Sequence, residues 1–226
     1  MSISRRYPVS DPSPVSNMTA SHDSRKVRAR IRRYERKLKS RHYRDAGGTR
    51  FLIGPLYLLL DDTEDALAHY RWFDRKFPDS MDEPFHALGR VLTMLRAKEP
   101  EDDARYRLRR AHIANPYFIP ALLAVAHGQP DVRRGCSWER EEYLLGGRQE
   151  FLGVWRPEEK AWLRSVWESS AFVEFVRTHI SIVSQLAYAP VGPERPELVE
   201  LLHALPSGAQ TGTSRSRRKA TDKTVH

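Results

Sequence analysis

From Thr49 to about Leu205 apolar residues recur every three or four positions, and the alternation expected of half-buried strands is rare. This periodicity predicts helices over 49–60, 63–77, 82–97, 101–114, 117–127, 137–149, 157–180 and 195–204. Breakers separate them: Asp61-Asp62, Pro78-Asp79, Glu99-Pro100, Asn115-Pro116, Gly128 with Pro130, and Gly146-Gly147. A linker with Pro190, Gly192, Pro193 and Pro196 precedes the last helix. Upstream, no Gly or Pro stands between Ser24 and Ala46, and Val27, Ile31, Tyr34 and Leu38 are spaced by 4, 3 and 4. That spacing predicts a narrow apolar stripe on a helix capped by Ser24 and stopped by Gly47-Gly48. Residues 1–23, rich in Ser and Pro, and the polar tail from 206 to 226 are expected to be disordered. The expected fold class is all-α.

The pattern repeats. Gly54 aligns with Gly89 at an offset of 35, and Ala66 with Ala104, Tyr70 with Leu108, Phe73 with Ala111 and Pro78 with Pro116 at 38. The three extra residues fall in the turn near Ala97 to Asp102. Two helix–turn–helix units therefore follow each other in register. In each, glycine allows one helix to approach the next, a small Ala marks the closest contact, an aromatic or Leu fills the gap, and Pro ends the second helix.

These residues resemble the tetratricopeptide repeat family. The first unit, about 47–80, has Ile53-Gly54, Tyr57, Ala66, Tyr70 and Pro78, and departs from the pattern at Phe73, where a small residue is usual. The second, about 82–118, has Phe85, Leu88-Gly89, Leu92, Ala104, Leu108, Ala111 and Pro116. A second stretch, with Ala111, Asn115-Pro116, Pro120, Leu122-Leu123, Arg134-Gly135, Ser137, Glu139, Tyr143 and Trp155, is similar to part of the suppressor of tumorigenicity 7 family, itself repeat-like. The resemblance implies a short solenoid of stacked helical hairpins. About three units are needed to bury a continuous core, so 119–150 is expected to supply a degenerate third pair. A long helix with Trp155, Trp162, Val166, Trp167, Phe172 and Phe175 would then cap the stack. The expected organisation is a leader over 1–23, a basic helix over 24–46, repeats over 47–150, a helical cap over 151–205 and a basic tail over 206–226.

Charge changes this picture at the ends of the chain. The net charge of +9 is unevenly placed: 24–45 hold eleven Lys/Arg against two acids, 207–226 hold five against one, and the body between is mildly acidic. The ends could therefore meet nucleic acid, anionic lipid or an acidic partner. The longest apolar run, Phe51 to Leu60, is about half a bilayer span, so no transmembrane segment is expected. Cys136 is the one cysteine in 226 residues, which excludes an internal disulfide and suits a reducing, cytoplasmic setting.

Candidate chemistry is sparse. The nine His are scattered, no HExxH, CxxC, Walker A or GxGxxG motif occurs, and the paired acids fall at helix starts or on polar faces. The expectation is a protein that is not an enzyme and has no cofactor and no metal. Two binding surfaces remain. The family resemblance places a concave groove on the first helix of each unit, with Phe51, Pro55, Leu58 and Leu59 from one and Glu83, His86, Arg90, Thr93 and Met94 from the next. With Arg90 its only fixed cation, this groove would take an amphipathic or extended protein segment rather than clamp a terminal carboxylate. The expected function is thus a scaffold binding a protein or peptide partner. The alternative is a nucleic-acid adaptor contacting phosphates through Arg28, Arg32, Arg33, Arg36 and Lys39 of the basic helix. Tyr34 and Tyr43 are its only aromatics, too few to indicate base stacking.

Overall fold

The structure, a computed structural model, describes residues 23–40, 48–78, 80, 83–126, 137–145, 149–189, 192 and 194–207. These form ten α-helices and four short 3-10 turns, with no strand among the described residues. The all-α expectation holds for them. All of the leader but Asp23, nearly all of the tail, Gly47 and Cys136 lie outside the described residues.

The cap of helix α1 (Ser24–Lys39) falls one residue earlier than expected. Asp23, not Ser24, accepts the amides of Arg25 and Lys26 at 3.1 and 3.3 Å. Its stripe packs inward as the spacing requires, with Val27 and Ile31 buried and Tyr34 and Leu38 half-buried. Next comes a 3-10 turn, Thr49–Phe51, and then α2 (Ile53–Leu59), so the expected 49–60 helix is broken at Leu52.

The two central hairpins are α2 with α3 (Thr63–Lys76), and α4 (Pro84–Arg96) with α5 (Glu101–Ala114). Helices α3 and α5 have equal length and the 38-residue offset read from the sequence. Both carry acids in the first turn, matching the helix dipole, and both end just before Pro78 or Pro116. Ala66 and Ala104 are buried in equivalent positions. Tyr70 stands between the hairpins. A Cβ on Gly54 would lie 2.5 Å from its ring, and one on Gly89 would lie 2.6 Å from its hydroxyl. The glycines are thus not in identical surroundings: Gly54 meets the second helix of its own hairpin, while Gly89 meets the hairpin before it.

A repeated closure escaped the sequence reading. Helix α2 ends with Asp62 N–H donating to Tyr57 C=O, α4 with Glu99 N–H donating to Met94 C=O, and α6 (Phe118–Leu123) with Val125 N–H donating to Pro120 C=O, all at 3.0 Å. Each closure carries a left-handed residue, Asp61, Lys98 and Ala124, at φ 57°, 55° and 52°. This is the Schellman geometry, built three times without glycine.

Downstream the expectations need correction. Instead of one helix over 137–149 there are a 3-10 turn at Ser137–Glu139, a single turn α7 (Glu142–Leu145) and another 3-10 turn at Gln149–Phe151. The expected long cap over 157–180 is two helices, α8 (Pro157–Trp167) and α9 (Ser170–Tyr188). The break falls where Ser169 caps α9 by accepting the Phe172 amide at 3.3 Å. Helices α8 and α9 pack on α5 and α6, with Trp167, Phe172, Phe175 and His179 around the buried His112. Finally α10 (Glu194–Ala204) lies against α9 and leads to Pro206, whose carbonyl accepts from Arg109 of α5 at 3.2 Å.

Candidate functional site

The face formed by α2 and α4 was the expected groove. Its six leading residues, Phe51, Pro55, Leu58, His86, Arg90 and Thr93, are all buried. Leu59 and Met94 are half-buried, and Glu83 is buried as the cap of α4.

The cause is local. His86 is enclosed by the rings of Phe73, Tyr70 and Phe51, with centroids at 4.4, 4.8 and 5.5 Å. Arg90 donates to Asp74 at 2.7 Å and lies over Tyr70 and Phe73, so this cation is already used. Thr93 bonds back to the Gly89 carbonyl at 2.9 Å.

The chain itself covers the rest of this face. Residues 137–145 and 149–156 run across it, with Trp138 against Phe51, and Tyr143 and Phe151 against Phe85. Between Pro55, Leu58, Leu88 and Leu92 on one side and Phe151 to Trp155 on the other, about 10 Å³ of space remains. Polar ties hold the segment. Asn115 Nδ2 donates to the carbonyls of Trp138 and Arg140 at 2.6 and 3.1 Å, and the Tyr143 hydroxyl donates to Glu83. Arg96 donates to the Val154 carbonyl, Glu159 and Asp61 at 2.6, 2.7 and 3.0 Å. The open-groove expectation is therefore overturned for these residues. The sequence hid this because a covering segment and a stacked third hairpin present the same apolar residues.

The second candidate surface is open. Docking of Val27 and Ile31 turns the opposite face of α1 to solvent, and Arg28, Arg32, Arg33, Arg36 and Lys39 are all exposed on it. Arg28 departs from the expectation, since its guanidinium sits 4.0 Å from the Asp62 carboxylate. Arg30 likewise faces Glu150 at 3.9 Å, and Lys26 faces Asp23 at 3.3 Å. Among the described residues no carboxylate forms an ion pair with Arg32, Arg33, Arg36 or Lys39. Arg32, Arg36 and Lys39 border one shallow depression together with Glu35, whose carboxylate accepts the Tyr57 hydroxyl at 3.1 Å. Arg33 lies over the Tyr34 ring, and the two neighbouring cations Arg33 and Arg30 lower the phenol below its ordinary value despite partial burial, which opposes them. From Arg32 to Lys39 the helix rises about 10 Å. Arg32, Arg33, Arg36 and Lys39 thus form a compact patch on a docked helix, with Arg33 also donating to the Tyr34 hydroxyl at 3.5 Å and Arg36 to the Arg32 carbonyl at 3.4 Å.

No helix among the described residues is long and apolar enough to cross a membrane. No protein-family model matches the chain, and neither a curated protein nor a solved structure does.

Proposed function

We propose that this chain is a non-catalytic helical-repeat adaptor that binds the phosphate backbone of nucleic acid through the outward face of α1. The carrying observation is the division of that helix. One side is fixed to the repeats by Val27 and Ile31, and the other presents Arg32, Arg33, Arg36 and Lys39 to solvent without carboxylate partners among the described residues. A docked helix does not have to be ordered on binding, which removes one cost of association.

Arginine and lysine on one helix face suit phosphate oxygens. Tyr34 is half-buried and stacked under Arg33, so it offers no platform for bases. The expected mode is backbone contact without sequence readout. The helical body then serves as the mount, in keeping with the resemblance to tetratricopeptide repeats, and its α2/α4 face is engaged by residues 137–145 and 149–156.

Fluorescence anisotropy with a labelled random-sequence duplex at low salt tests this on the full chain. The variant combining Arg32→Ala, Arg33→Ala, Arg36→Ala and Lys39→Ala is expected to lose binding while its circular dichroism stays unchanged. The ion-paired surface arginines supply the control, since Arg105→Ala and Arg177→Ala are expected to bind as the native chain does. Retention of binding by the fourfold variant would overturn the proposal.

A further inference from the structure

The cations of α1 are not confined to one stripe. Successive residues turn about 100° around a helix axis, so the docked stripe of Val27, Ile31, Tyr34 and Leu38 fixes which way the remaining residues face. Opposite that stripe a crest runs through Arg25, Ala29 and Arg36, all exposed. Arg32 and Lys39 stand about 50° and 70° to one side of the crest, and Arg33 and Lys37 about 50° and 90° to the other. These flanking residues are exposed as well. The cationic face therefore wraps about 160° of the helix, with a flank on each side.

The acids beside α1 lie at its base. Asp62 stands 4.0 Å from Arg28 and Glu150 3.9 Å from Arg30, and both of these arginines lie about 90° or more from the crest, close to the body. Glu35 is turned to the Tyr57 hydroxyl at 3.1 Å. Among the described residues no carboxylate forms an ion pair with Arg32, Arg33, Lys37 or Lys39 on the flanks. A flat or single-stranded row of phosphates meets one side of such a helix, whereas a partner with phosphates on two facing walls meets both. The major groove of B-form DNA is about 12 Å wide and about 8.5 Å deep, and it admits a helix about 10–12 Å across. A duplex of RNA has a deep, narrow major groove and a wide, shallow minor groove, and neither holds a helix between two phosphate walls.

We infer that α1 lies lengthwise in the major groove of B-form duplex DNA, with Arg32 and Lys39 on the phosphates of one strand and Arg33 and Lys37 on those of the other. This rests on the proposed binding of nucleic acid through α1 and narrows it to one partner and one mode. Ala29 then faces the floor of the groove midway along the crest, where its small side chain lets the helix seat deeply and reads no base edge by hydrogen bonding. Arg25 and Arg36, toward the ends of the crest, have side chains long enough to turn to either wall.

Anisotropy titrations of the full chain with a DNA duplex, an RNA duplex and a single DNA strand, of equal length and matched random sequence at one low salt concentration, test this. The DNA duplex is expected to bind about tenfold or more tightly than either of the others. Two double variants then probe the walls separately on the DNA duplex: Arg32→Ala with Lys39→Ala, and Arg33→Ala with Lys37→Ala. Each is expected to flatten the slope of log K against log salt concentration by about 2, with circular dichroism unchanged. Equal or tighter binding of the RNA duplex or the single strand, or a flank whose removal leaves the native slope, would overturn the inference and leave phosphate binding through α1 standing. Failure of all three nucleic acids to bind would overturn both.

Discussion

Tyr70 gives two nearly identical substitutions a different dependence on one atom. Gly54 and Gly89 both lie against its hydroxyl, but only Gly54 also lies against its ring. In Gly89→Ala the new Cβ would sit 2.6 Å from the Tyr70 hydroxyl, with Leu58 Cδ1 next at 3.2 Å and Pro55 Cγ at 3.6 Å. In Gly54→Ala it would sit 2.5 Å from Cζ, 2.6 Å from the hydroxyl and 2.9 Å from Cε1, so the ring itself obstructs it as well. Overpacking of this kind costs about 1–3 kcal/mol. Replacing a helical Gly by Ala returns about 1 kcal/mol. Each substitution alone should therefore destabilise by about 0–2 kcal/mol on those two effects. In a Tyr70→Phe background the closest obstacle at Gly89 is gone, and Gly89→Ala should become neutral or stabilising by up to about 1 kcal/mol. The ring remains at Gly54, so Gly54→Ala should stay destabilising in both backgrounds. Urea unfolding with constant m-values would give the two double-mutant cycles. The expected coupling is about 1–2 kcal/mol for Gly89 with Tyr70, and smaller, below about 1 kcal/mol, for Gly54 with Tyr70. Equal couplings, or a stabilising Gly89→Ala in the native background, would refute the placement of Tyr70 between the hairpins.

Other expectations follow from local geometry. Lys98 and Ala124 are exposed at positive φ, so Lys98→Gly and Ala124→Gly should each stabilise by about 0.5–1 kcal/mol by thermal melting, as a glycine closure allows. Arg96 is nearly buried and ties Asp61, Val154 and Glu159 together. Arg96→Met should cost about 3 kcal/mol, the low end for breaking a buried pair because Arg156 still holds Asp61. Its hydrogen exchange should rise first in 149–156. His69 has a folded value below its unfolded one, so the unfolded chain binds the extra proton and stability falls as pH drops below about 6.5. Between pH 6.5 and 5, His69→Gln should remove part of that slope, measured by chemical denaturation; an unchanged slope would contradict the buried neutral ring.

Much of the fold was legible because its signals are local. The 38-residue offset of α3 and α5, their acidic first turns and the prolines after them each reflect backbone chemistry of a few residues. The stripe of α1 was equally readable, since Val27 and Ile31 had no other use. What periodicity could not carry was which apolar face meets which. Trp138, Tyr143 and Phe151 have the composition of a third hairpin, but they cover Phe51 and Phe85, and so close the surface on which Arg90 and His86 were expected to meet a partner. The break at Ser169 was missed because its flanks keep helical spacing. The left-handed closures were missed because Asp61, Lys98 and Ala124 stand where glycine would have announced them.

The salt dependence of duplex binding tests the proposed role of α1 most directly. Each phosphate neutralised contributes about 0.9 to the slope of log K against log salt concentration. If Arg32, Arg33, Arg36 and Lys39 each meet a phosphate, their joint removal should flatten that slope by about 3–4. A fourfold variant that keeps the native slope would show that the exposed face of α1 does not contact the nucleic acid.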